Sequence, residues 1–184
     1  MEAGNQSGTS TATKTEATAR KFTAVQLAFN QLQTLGFAIG RKGVAKPDIS
    51  TPEALKRALL SARAVSAGDP AIGGASSVHF AKVLDRLGIA EEMKAKIKYA
   101  PPNGLAARLL VSGEVDIAVQ QMPELMSVDG AELVGPLPGD LALTTVFAAG
   151  IPVNGSAADA ARGFIKFLQS PEAKAVMKSK GLEI

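Results

Sequence analysis

Apolar residues follow two periods along this chain, and the switches between them mark its elements. Leu55, Ala58, Leu59 and Ala62 recur at helical spacing, as do Phe80, Val83, Leu84 and Leu87. The first of these stripes carries start signals: Ser50 or Thr51 can cap it, Pro52 stands in its first turn and Glu53 suits the positive end of a helix dipole. Gly88 ends the second. Between and after them lie short apolar runs with no helical period, "RAVSAG", "KIKYA", "EVDIAVQ" and "AELVG", which read as strands. A short helix over about Ala90–Lys96 and a second in "GLAARLLVSG", which Asn103 can cap, separate these strands, and "PELM" adds a helical turn. After the turn "PLPGD" comes a β-rich run, "LALTTVFAAGI", and then two closing helices, "AADAARGFIKFLQ" and "PEAKAVMKSKG". Strands alternating with helices predict an α/β fold, an open sheet of parallel type flanked by helices with right-handed crossovers.

The N-terminal part reads differently. Residues 1–16 are polar and lack the basic and apolar regions of an export signal, so they are expected to be a disordered leader. From about Ala17, the spacing of Phe22, Val25, Phe29 and Leu32 predicts a helix reaching Leu35, packed on its own core or forming a seam with a second copy. "LGFAIG" then reads as a strand, broken by Gly43 and Pro47.

Composition narrows the chemistry. The 184 residues are 46% hydrophobic, 20% charged and 4% aromatic, which suits a globular protein with a core of Ala, Leu, Val and Ile. The net charge of +3 is spread among interleaved acids, which speaks for solvated helix faces and against nucleic-acid binding. There is no cysteine, which removes disulfides, thiolate nucleophiles and Cys-based metal sites, and the single His79 rules out a two-histidine zinc site. No apolar run approaches the length needed to cross a bilayer.

Two places could hold a ligand. "GDPAIGGASSVHF" brings Gly73, Gly74, Ala75, Ser76 and Ser77 to the start of an amphipathic helix. Unpaired N–H groups and two hydroxyls there suit a small oxyanion or carboxylate, while a serine that merely caps the helix is the alternative. The turn has neither the Gly-Lys-Ser/Thr of a phosphate-binding loop nor GxGxxG, so no nucleotide cofactor is expected. The strand ending at Val119, Gln120 and Gln121 points its amides beyond the carboxyl end of the sheet, where open α/β folds bind ligands. His79 reads as a packed or solvent-facing side chain. Asp69, Glu114, Asp116 and Glu124 show no spacing of a catalytic pair, so neither catalytic residues nor a metal site are expected.

The segment from "GRKGVAKPDISTPEALKRALLSARAVSAGDPAIGGASSVHFAKVLDRLGI" through "LVSGEVDIAVQQMPEL" and "GAELVGPLPGDL" to "FIKFLQSPEAKAVMKSKGLE" resembles the type II periplasmic solute-binding proteins. The branch it resembles is the one related to the molybdate-binding components of ABC transporters, and the match covers about Gly36 to Ile184. That resemblance implies two α/β lobes joined by crossing strands, with the ligand between them, and a periplasmic location. It implies a second lobe over 42–141, and a truncated first lobe over 17–41 and 142–184 whose opening strands and serine loops are missing. Of the family's ligand contacts it carries over the Gly/Ser turn with Ser76 and Ser77 and the strand end at Val119 and Gln120. Near the returning hinge, where the family has a tyrosine, stand Thr145 and Phe147.

The leading expectation is therefore a solute-binding-type domain, not an enzyme, that holds a small anion weakly. A structural protein that oligomerises through the N-terminal helix and hinge strands as a homodimer is the alternative, and a small hydrolase built on the same scaffold is a further one.

Overall fold

The computed structural model describes residues 22–23, 31–40, 45–147, 149–152 and 155–182. They divide into two compact units, Gln31–Val146 with the residues from Ala175 onward, and a smaller one holding the described residues before Gln31 and those from Phe147 to Lys174.

The larger unit is built on a six-stranded sheet. Its strands are β2 (Gln31–Gly40), β3 (Val65–Ala67), β4 (Ile97–Tyr99), β5 (Ile117–Gln121), β6 (Ala131–Pro136) and β7 (Thr144–Phe147). The order is β4-β3-β5-β2-β6, with β7 also pairing β2. The β4-β3-β5 part is parallel, and β2 then runs antiparallel to both β5 and β6. Helices α1 (Pro52–Ser61), α2 (Ala75–Arg86), α3 (Ala90–Lys94), α4 (Ala106–Val111) and α5 (Met122–Met126) join these strands. In the smaller unit β1 (Phe22–Thr23) pairs antiparallel with β8 (Ile151–Pro152), and α6 (Ala158–Leu168) follows. Helix α7 (Pro171–Ser179) crosses the division between the units.

Strand alternation divides the core of the larger unit in two. Ile117 and Val119 of β5 pack with Leu55, Leu59, Val83 and Met93 on one face, whereas Ala118 packs with Ala106, Ala107, Leu110 and Leu125 on the other. All five residues of β5 are buried, as expected of a strand covered on both faces. The start of α1 resolves one ambiguity: Thr51 is the N-cap, its hydroxyl accepting from the Ala54 N–H at 3.1 Å, while Ser50 donates to Asp48.

Two expectations are corrected. No helix spans 17–35 among the described residues, because Phe22–Thr23 and Gln31–Gly40 are strands; Val25 and Phe29 lie outside the described residues. Phe22 and Leu32, the two ends of the expected seam, are thus strand residues, and β2 has partners on both sides within the sheet. Asn103 does not cap α4: it sits at a positive φ of 58° in the Pro101–Gly104 turn, and Leu105 is the N-cap.

Candidate functional site

A pocket of about 390 Å³ opens where β3 and β5 end, between the starts of α2 and α4. That volume lies in the range of small-molecule sites. Gly73, Gly74, Ser76, Ser77 and Gln120 line it, together with Gly68, Asp69, Pro101–Leu105 and Glu124. Of the residues singled out from the sequence, Ala75 begins α2 without lining the pocket, and Val119 is buried in the core on the α1 side.

The start of α2 is unusual. Its N-cap is Gly74, at φ 101°, with no side chain capping it and no acidic residue in the first turn. Gly73 and Gly74 both have positive φ, which explains the pair of glycines: the turn needs a left-handed backbone. The first intrahelical bond runs from the Val78 N–H to the Gly74 carbonyl, so the N–H groups of Ala75, Ser76 and Ser77 have no acceptor within the helix. A serine cap is thereby excluded. Ser77 is largely buried and lines the pocket, but its hydroxyl is not a sealed orphan, since no buried side-chain oxygen or nitrogen among the described residues lacks a partner. Its Oγ lies against Gly68, where a Cβ would collide with it.

The opposite wall is held by β5. Pleating sends Gln120 to the side of Ala118, toward α4, and there its Oε1 accepts from the Ala106 N–H at 2.8 Å. Ser66 of β3 donates to the Ala106 carbonyl at 2.8 Å, which pins the same residue from the other side. Gln120 is thus engaged in positioning the 104–106 backbone. Gln121, one residue on, turns away from the pocket and donates to Thr145 Oγ1 at 3.4 Å.

Two carboxylates missed as site residues complete the lining. Asp69 Oδ1 accepts from the Ala71 N–H at 2.8 Å, and Glu124 Oε2 accepts from the Gln121 N–H at 3.2 Å. Burial pushes the Glu124 carboxyl above its ordinary value, against the opposing pull of the Gln121 N–H. They come from different crossovers, and no local spacing announces them; only the glutamate three residues after Gln121 hints at a cap. His79 does not line the pocket: its Nε2 meets the Leu141 carbonyl at 2.8 Å. Among the described residues no cluster of acids or histidine is arranged to hold a metal, and no helix is long and apolar enough to cross a membrane.

Residues 7–183 match the family model of the bacterial extracellular solute-binding proteins. The chain belongs to that family. This solute-binding protein is 29% identical over 144 residues to an aconitate isomerase of a Pseudomonas species, of whose length it spans about half, 53%, with 78% of its own chain. Its fold is that of a substrate-binding domain from Clostridium difficile (TM-score 0.64, 15% identity, 93% of this chain and 72% of the other). It is also that of the periplasmic molybdate-binding protein of Azotobacter vinelandii (TM-score 0.63, 17% identity, 94% and 74%). The type II, molybdate-binding-like fold implied by the resemblance is therefore the fold of this solute-binding protein.

Proposed function

We propose that this protein binds a small oxyanion or carboxylate at the start of α2. Ser76 and Ser77 supply hydroxyls, the uncapped first turn supplies N–H donors, and Gln120 acts as a positioning residue that holds the facing loop. The observation that carries this reading is the uncapped start of α2 at the pocket wall, where the N–H groups of Ala75, Ser76 and Ser77 have no acceptor within the helix and the largely buried Ser77 lines the pocket. Helix N-termini attract anions because the first N–H groups are unpaired and carry a net partial positive charge. Relatives are consistent with the ligand class: a molybdate-binding protein shares the fold, and aconitate, named in the isomerase relative, is a carboxylate.

We read the site as one for binding rather than turnover, since His79, the chain's single histidine, is occupied at Leu141 away from the pocket. The family description supports a location outside the cytoplasm. A thermal-shift panel of sulfate, phosphate, molybdate and both aconitate isomers tests the proposal. Weak, millimolar affinity is expected, so a shift equivalent to about 2.7 kcal/mol appears only near 100 times the dissociation constant. Ser76→Ala/Ser77→Ala should abolish the shift. Stabilisation unaltered in the double variant moves the site elsewhere, no stabilisation by any anion refutes it, and interconversion of the aconitate isomers refutes the binding-only reading.

A further inference from the structure

The charged side chains lining the pocket are both acids. Asp69 and Glu124 each have one carboxylate oxygen held by a backbone N–H, and the other oxygen has no partner among the described residues. Among the described residues no lysine or arginine lines the pocket. The site is therefore two-faced: unpaired donors on the α2 wall, Ser77 among them, and unpaired acceptors elsewhere on its lining. A fully ionised anion would satisfy the donors and then set its own lone pairs against those of a carboxylate. Like charges at short range in a partly dry site are strongly unfavourable, and a hydrogen between the two oxygens removes the conflict.

We propose that the pocket takes its anion together with one proton, shared between a ligand oxygen and the Glu124 carboxylate. The proton arrives on the ligand when this is an acid oxyanion or a carboxylic acid, and is taken up from solution by Glu124 when the ligand has none. This inference rests on the anion-binding reading above. Glu124 suits the part because it is half-buried on α5, and burial already disfavours its charged form. The surroundings supply little to counter that. Of the elements packed on α5, β5 carries no titratable residue and neither does β2; Glu132 on β6 is paired with Lys46 at 3.2 Å; and Arg108 on α4 lines an adjoining hollow instead. Lys180 precedes Gly181, which lies against Pro123 and Met126, and is exposed. Asp69 lines the same pocket and brings no positive charge to it.

Calorimetric titration of the full chain with sulfate and with inorganic phosphate, from about pH 5 to about pH 8, tests this. Sulfate carries no proton in that range. Its affinity should fall about tenfold per pH unit above the Glu124 pKa, with uptake of about one proton read from buffers of different ionisation heat. Phosphate, which brings its own proton, should take up less than one. Glu124→Gln keeps an acceptor for the Gln121 N–H and adds a donor, so it should bind sulfate at high pH as the wild type does at low pH. Asp69→Asn should leave the slope in place. A flat profile for Ser77-dependent binding overturns this inference alone, and so does a slope that survives Glu124→Gln or disappears in Asp69→Asn. Binding that ignores Ser76→Ala/Ser77→Ala, or no binding at any pH, overturns the anion site and this inference with it.

Discussion

Gly68 and Ser77 offer a sharp test of the site, because the contact between them can be removed from either end. Gly68 follows β3 without a positive φ, so its backbone admits alanine. A Cβ there would fall on Ser77 Oγ far inside the 3.0 Å below which real Cβ atoms do not approach, yet stand 3.4 Å from Ser77 Cβ. The hydroxyl must then leave its position, and the displaced rotamer and crowding cost about 1–2 kcal/mol. In a Ser77→Ala background only the 3.4 Å contact remains, and Gly68→Ala should cost less than about 0.5 kcal/mol. Ser77→Ala alone removes a hydroxyl from the pocket wall and should change stability by less than about 0.5 kcal/mol while binding is lost. Urea denaturation of the four proteins reads the coupling, expected near 1 kcal/mol. Gly68→Ala should also weaken anion binding about tenfold or more, since a hydrogen bond to a charged ligand is lost. Equal destabilisation by Gly68→Ala in both backgrounds would refute the geometry, and a clear loss of stability in Ser77→Ala would refute the placing of its hydroxyl on the pocket wall.

Gln120→Ala should leave the Ala106 N–H unpaired and loosen the 104–106 loop, costing about 1–3 kcal/mol by denaturation and weakening binding while Ser77 stays intact. Asp116 lies against Arg63, and although burial raises its carboxyl, the hydrogen bonds and charge of Arg63 outweigh that and hold it below the ordinary value. A lowered folded pKa means that its contribution is present above about pH 4 and is lost as pH falls through the folded value. Asp116→Asn should therefore flatten the acid limb of the stability curve in that window, modestly and less so in high salt because Arg63 is largely exposed; an unchanged limb contradicts it.

What the residues determined alone were the elements whose signals are local. Thr51-Pro52-Glu53 followed by Leu55, Ala58 and Leu59 makes a helix start in any context, and α1 begins there. The apolar run before Gln120 makes a buried strand, and the glycines 73 and 74 make a left-handed turn before a helix, so the neighbourhood of the pocket was legible. Tertiary structure decided the rest. The spacing of Phe22, Val25, Phe29 and Leu32 fits a helix, yet the chain is strand at Phe22 and Leu32, because pairing with β8 in one case and with the sheet in the other supplies hydrogen bonds that no local pattern encodes. Gln120 and Gln121 are chemically identical, and only the pleat of β5 sends one to the loop at Ala106 and the other to Thr145. Asp69 and Glu124 share a pocket because β3 and β5 are neighbours in the sheet, and that adjacency is a long-range fact. The same holds for Ser77: a serine in a helix start ordinarily caps it, and only the tertiary structure sets its Oγ against Gly68 in the pocket wall instead.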